Sequence, residues 1–446
     1  MKPNSIKVLF YLLLLTVIGG LLISCGNQAP SVEEQSPQTT EATDEVVELR
    51  LWTHSNSSFV AANEELIQRF EAEHPNVKIK LETFDYDIFI QTLQTSMPAG
   101  TEADIIEMFG SWVCTYADGG RLAPMPEQVA TLAEAQNAFF AAPLEGYHCG
   151  DQLYGLPHEF NIEYGGVLVN PALFEAAGVA YPPTWGEDKD QFVADAAKLS
   201  QFESDTMTAT GFHFINGDGL PFLLLAGILQ EGGEYWKPDG SGLQLNTPEA
   251  QKTLTWMKSL VSEHKVIDPF LFNQENNSVV EAFFSNRAAV ALVGPWAAAT
   301  GKTDFPEIEF DYVAMPHMGS TPAFVADSGW GKVVSVNSKH QELAWEFVKF
   351  VTMNQEHART WNIKTATVPA LQSIAEDPTL PEELPWIQAV LPILPHGRYV
   401  GPLPDRNLFW GEIAYPHILA VLQDQETVED ALIAMEEEVN ETFEAR

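Results

Sequence analysis

Val47-Glu48-Leu49-Arg50-Leu51-Trp52-Thr53-His54 opens the stretch that decides the fold, and the stretch closes at Leu81. Val47, Leu49 and Leu51 alternate with charged or polar neighbours, the two-residue period of a strand with one buried face. Asn63 to Glu73 follows with Leu66, Ile67 and Phe70 at helical spacing, and His74-Pro75-Asn76 ends it. Val77, Ile79 and Leu81 then restore the two-residue period. Two strands joined through a helix run parallel, so this opening predicts a parallel sheet covered by helices.

On the N-terminal side stands a different kind of segment. Lys2 and Lys7 give a basic start, Val8 to Ile23 is an almost unbroken apolar run, and Leu22-Ile23-Ser24-Cys25 ends it. A run of that length falls short of the roughly 20 apolar residues of a membrane span and fits an export signal. The four residues resemble a bacterial lipobox. Residues 1–25 are therefore expected to be a lipoprotein signal peptide ending at a lipidated Cys25, which would hold the protein on the outer face of a membrane. Asn27 to Glu45 is rich in Pro, Gln, Thr, Ser and Glu and has no aromatic residue, so 26–45 is expected to be a flexible linker.

Taking 25 residues from 446 leaves 421, enough for two domains of about 200. The formal charge of 23 − 62 = −39 argues against nucleic acid or anionic lipid as a partner, since both need a basic face. With Cys25 lipidated, Cys114 and Cys149 form an even pair in an oxidising compartment, a disulfide candidate with two buried thiols as the alternative. No period of 20–50 residues repeats. Ala180 to Gly301 reads mainly as helix and loop, strands return near Phe310 to Val313 and Lys332 to Val336, and a long helix runs from Gln341 to Met353. Strands that return so late suggest that the chain crosses back to its first lobe.

Several landmarks occur in a recognisable order. They include Leu49 to His54, His74-Pro75-Asn76-Val77-Lys78-Ile79, Gly100 to Ile106, Leu153-Tyr154-Gly155-Leu156-Pro157, Pro182-Pro183-Thr184-Trp185 and Glu342 to Phe350. The most specific is Phe283 to Trp296, Phe-Phe-Ser-Asn-Arg-Ala-Ala-Val-Ala-Leu-Val-Gly-Pro-Trp. In this order the chain resembles the extracellular solute-binding proteins of sugar ABC importers, the class that includes maltose-binding protein. The resemblance implies a bilobal periplasmic-binding-protein-like fold, two discontinuous α/β lobes joined by hinge segments. Lobe 1 would be 46–160 plus 327–352, and lobe 2 would be 161–326 plus 353–446. It also implies a monomeric receptor without cofactor or metal, delivering a carbohydrate, a di- or oligosaccharide, to importer permease subunits by hinge closure. A glycerol-phosphate ester or another non-sugar solute is the alternative ligand.

A sugar offers C–H patches on its faces and hydroxyls on its edges, so its site needs aromatic platforms and fixed polar groups. The resemblance implies platforms at Trp296, after Gly294-Pro295, and at Trp410, after Asn407-Leu408-Phe409. His54 and Asn56 end the first strand, where an α/β sheet presents its ligand-facing loops, although Asn56 could equally cap a helix. Glu159, Asn161 and Tyr164 fall where the chain crosses between lobes, with Glu159 as the candidate acceptor of sugar hydroxyls. Phe109 and Trp112 could wall the first lobe, Asp218 lies in a Gly-rich turn, and Trp330 lies where the chain returns. Arg398 would matter for a phosphate or carboxylate ligand. The family's common Tyr-Asn pair reads Val169-Asn170 here, so that Tyr is missing.

Enzymatic readings find no support. Ala299 to Thr303 mimics a phosphate loop but lacks its first Gly, and no His-Glu-x-x-His or Gly-x-Ser-x-Gly occurs.

Overall fold

A computed structural model describes residues 46–162, 165–186, 188–214, 217, 219–268 and 278–444. Cys25, the expected signal and linker, Tyr164 and Asp218 lie outside them.

The opening β-α-β unit forms with the strands in full register. Val47–His54 pairs in parallel with Val77–Phe84, from Val47 opposite Val77 to His54 opposite Phe84. The intervening helix spans Ser57–Glu73, six residues earlier than the apolar spacing suggested, because Asn56 caps it. The Asn56 side-chain oxygen accepts the N–H groups of Ser58 and Phe59, satisfying donors that a first turn leaves open. Phe59, Leu66, Ile67 and Phe70 turn inward from this helix onto the sheet.

Five strands make the first sheet, in the order Val77–Phe84, Val47–His54, Ile105–Phe109, Trp330–Val334, Gly155–Pro157. The first three run parallel, and Trp330–Val334 runs antiparallel to both of its neighbours. A second sheet has three antiparallel strands, Val290–Leu292, Gly166–Val169 and Asp311–Ala314. One hydrophobic core buries the first sheet and reaches Leu168, Ala291 and Tyr312 on one face of the second; a second core lies on the opposite face of that sheet, with Val167, Val169, Val290 and Leu292. The second includes the helix Gly219–Gln230, apolar and buried all round as an interior helix must be.

Three crossings join the lobes side by side. At the first, His158 and Asn161 donate backbone N–H groups to Trp330 (3.0 Å) and Ser328 (3.1 Å), residues of the second crossing. The third falls between Glu383, which pairs with Arg359, and Trp386, which packs on Tyr312, and the strand Gly397–Tyr399 that follows pairs in parallel with Phe324–Ala326 of the second.

Residues 353–383, assigned to lobe 2 from the sequence, instead pack on lobe 1, whereas Pro385–Ala389 packs against Asp311–Ala314 of the second sheet, with Trp386 edge-on to Tyr312 at 5.5 Å. The helix Gln355–Thr365 lies along Ser57–Glu73, with Trp361 edge-on to Phe59 at 5.1 Å. Lys364 pairs with Glu65 (2.8 Å) and Arg69 with Glu356 (3.0 Å). The buried face of this helix, Ala358 and Trp361, decides its lobe.

Cys114 and Cys149 are joined by a disulfide with a Cα–Cα distance of 5.6 Å. It ties the helix Gly110–Asp118 to the hairpin His148–Cys149/Gln152–Leu153.

Candidate functional site between the lobes

Strand ends and crossings converge where the two cores meet. Val47–His54 and Ile105–Phe109 end on the same side of the first sheet, as parallel neighbours do, and present His54 and Phe109 there. Trp330 opens the antiparallel return strand directly opposite Phe109. The two rings stack with centroids 4.0 Å apart and planes at 27°. Trp112, one turn into the next helix, stands edge-on to Phe109 at 5.3 Å and to Trp330 at 5.8 Å. The His54 ring lies 4.6 Å from Trp330, and Tyr86, half exposed at the rim, approaches Trp330 edge-on at 6.4 Å.

Backbone geometry holds Trp330 in place. The Glu159 carboxylate accepts the Trp330 N–H at 3.1 Å, so Glu159 positions the platform from the neighbouring crossing. Gly329 has φ of +139°, and a Cβ there would come within 2.4 Å of the Glu159 carbonyl; only glycine fits.

The second lobe reaches this cluster through Arg406. Its Nε donates to Asp327 Oδ2 at 2.6 Å, and both side chains are buried. The guanidinium lies 5.8 Å from the Phe109 ring centre and 5.3 Å from that of Trp410. Trp410 is packed against Phe222 (4.8 Å) and Phe409 (4.7 Å) in the second core. One ladder therefore crosses the molecule: Trp330, Phe109, Arg406, Trp410, Phe222. Trp410 sits on a π-helical stretch, Leu408–Ala414, an irregularity that often marks functional positions.

The buried donors of Trp112 Nε1, Trp410 Nε1 and His54 Nε2 have no hydrogen-bond partner. Trp345, Trp361 and Trp386 share this property elsewhere, so the ring geometry identifies the site and the indole donors do not. Beneath the ladder lies a polar layer with Glu107, Lys332, Asn63 and His158. Burial lowers the His54 pKa to about 4; Glu107 opposes this and Lys332 adds to it. His54 is neutral at pH 7.

Of the residues singled out from the sequence, His54, Phe109, Trp112, Trp330 and Glu159 meet around one point, and Arg406 links them to Trp410. Asn56 spends its side chain on the helix cap, and Asn161 contributes its backbone N–H to the crossing. Trp296 opens the helix Trp296–Asp304 and is half-buried at the edge of the first core. Arg398 is exposed on the strand Gly397–Tyr399, with Glu145 as a charged neighbour. Beside it a groove of about 740 Å³ runs between Cys149, Glu145, His148 and Tyr399. Arg406 was missed; its only local signal is a lone cation just before an aromatic pair in Asp405-Arg406-Asn407-Leu408-Phe409-Trp410.

This two-lobed arrangement has known counterparts. The profile of the bacterial extracellular solute-binding proteins matches residues 55–358. The chain belongs to that family. As a solute-binding protein it is a receptor and not an enzyme. A putative binding protein of Brucella abortus is 25% identical over 303 residues, covering 66% of this chain and 69% of that protein. The galactooligosaccharide-binding protein of Bacillus subtilis is 23% identical over 403 residues, covering 87% and 86%. Among solved structures, a solute-binding protein of Thermotoga lettingae bound with α-D-tagatose superposes with a TM-score of 0.76 at 22% identity, covering 89% of this chain and 99% of that one. The shared fold is the bilobal α/β architecture.

Proposed function

We propose that the protein binds a neutral carbohydrate, a di- or oligosaccharide, between its lobes and delivers it to the permease of an ABC importer. The observation that carries this reading is the aromatic ladder, in which Phe109, Trp112 and Trp330 of one lobe face Arg406 and Trp410 of the other. Aromatic faces accommodate the C–H patches of a pyranose, and buried polar groups discriminate among hydroxyl patterns because a wrong hydroxyl leaves a partner unpaired. The named ligands of the Bacillus subtilis and Thermotoga lettingae relatives, a galactooligosaccharide and tagatose, agree with that chemistry.

Charge favours a neutral ligand. Asp327 matches Arg406 within the site, whereas a glycerol-phosphate ester would need an unmatched cation there. Arg398, the cation suggested for such an ester, is exposed on the strand Gly397–Tyr399.

The lobes of this reading are 46–160 with 327–383, and 161–326 with 385–446, closing about the three crossings. Cys25 carries the lipid, residues 26–45 form the tether, and the receptor works as a monomer on the outer face of the membrane.

An intrinsic-fluorescence titration against mono- and oligosaccharides and glycerol phosphates tests this. A saturable change at micromolar saccharide is expected. Response to the phosphate esters alone would replace the sugar reading.

A further inference from the structure

Ile105–Phe109 and Trp330–Val334 are buried at every position, so neither strand has a solvent face. A half-buried strand is held in register because a one-residue slip turns its apolar side to water. A strand covered on both faces reads as a continuous apolar run, and a two-residue slip then costs no burial. Each strand contains one charged residue, Glu107 in Ile105-Ile106-Glu107-Met108-Phe109 and Lys332 in Trp330-Gly331-Lys332-Val333-Val334. The observed register sets them opposite each other, two positions from the Trp330–Phe109 pair. Lys332 Nζ is 3.4 Å from Glu107 Oε2 and donates to Asn63 Oδ1 at 2.8 Å. Asn63 Nδ2 donates in turn to the same Glu107 oxygen at 3.0 Å. All three side chains are fully buried, and the ammonium also lies 4.8 Å from the centre of the Trp361 ring.

We propose that Lys332 and Glu107, bridged by Asn63, are positioning residues that fix the register of these two strands and so stack Trp330 on Phe109. A two-residue slip sets Lys332 opposite Ile105 or Phe109, and Glu107 opposite Val334 or Trp330. The buried ammonium then faces no carboxylate, and buried Glu107 keeps only the neutral Asn63 and His158, which is far costlier than the lost pairing alone. Tyr147 adds a restraint of its own, its hydroxyl lying 2.6 Å from the Met108 carbonyl oxygen and 2.9 Å from that of Gly329. It would also lie 2.5 Å from a Cβ at Gly331, which blocks the slip that brings Val333 there; the slip that brings Gly329 there meets no such clash but breaks the Gly329 contact. The consequence for ligand affinity rests on the carbohydrate reading above; the register itself does not.

Two double variants of the full-length protein test this. Lys332→Met with Glu107→Leu removes both charges and leaves a well-filled apolar pair, which is compatible with folding. It is expected to melt cooperatively yet lose at least half of the near-ultraviolet dichroism of the packed tryptophans, and to bind saccharide at least tenfold more weakly. Lys332→Glu with Glu107→Lys restores a pair in the same register and is expected to recover both signals. An apolar variant with the wild-type spectrum would overturn the proposal. If the apolar variant does not fold, the exchanged pair decides: a wild-type spectrum supports the proposal, and failure to fold overturns it. Should the wild type bind no saccharide, the spectra still decide the register claim, and only the ligand reading fails.

Discussion

Arg406 is the residue on which the two lobes converge, and its chemistry is not replaceable by another cation. A planar guanidinium can stack between Phe109 and Trp410 while its Nε holds Asp327; an ammonium cannot do both. Arg406→Lys is therefore expected to weaken saccharide binding about tenfold, roughly 1.4 kcal/mol, in an isothermal titration. Arg406→Met removes the guanidinium that holds the buried Asp327 carboxylate, so chemical denaturation should register a loss of about 3–5 kcal/mol. Trp330→Ala removes a buried ring with five aromatic neighbours, counting His54, Tyr86, Phe89, Phe109 and Trp112, and should cost both affinity and about 3–5 kcal/mol of stability. Phe109, Trp112 and Trp330 were legible in the sequence because they sit at or beside strand ends, where an α/β sheet exposes its ligand-facing side. Arg406 was not legible. Its partner Asp327 is 79 residues away, and an ion pair between lobes leaves no periodic trace in either segment.

Among the elements, those with a strong period were readable and those defined by contact with a distant part of the chain were not. The opening β-α-β unit announces itself through alternation and helical spacing. The strand Ile105–Phe109, covered on both faces, has no alternation to read. The lobe assignment of Gln355–Thr365 depended on docking against Ser57–Glu73, and that contact is invisible to a local window. The cystine marks an element-scale dependence as well. The Cys114–Cys149 bond spans 35 residues and fixes the helix that carries Trp112 to the neighbouring hairpin. Chain-entropy arguments give it about 4 kcal/mol, so Cys114→Ser with Cys149→Ser should lower the melting midpoint by several degrees in calorimetry. Affinity should fall with it, because the Trp112 helix loses its tie.

For the whole molecule, buried histidines make stability depend on pH. Burial lowers the pKa of His54 to about 4 and that of His213 to about 3, and holds His158 well below its ordinary value. Below about pH 6.5 the unfolded chain takes up protons at these sites while the folded chain does not, so unfolding is increasingly favoured as the pH drops. The contribution is complete above pH 6.5 and is lost progressively toward pH 4 and below. His54 alone accounts for on the order of 3 kcal/mol across that window. Thermal midpoints should thus fall steadily from pH 7 to pH 4, with net proton uptake on unfolding; a flat profile would mean that these rings are hydrated or paired in solution. The two-lobed α/β fold was legible from the sequence as a family pattern, whereas the lobe of the segment after Thr352 and the closing ladder belong to the assembled molecule.

The account's central claim concerns where the ligand sits, and a crystal structure of the protein with a saturating oligosaccharide tests it most directly. The sugar should lie between the lobes, with its rings in van der Waals contact with Trp112 and Trp330 and its edge toward Arg406. A sugar bound instead in the groove beside Cys149 and Tyr399, with the ladder untouched, would contradict the account.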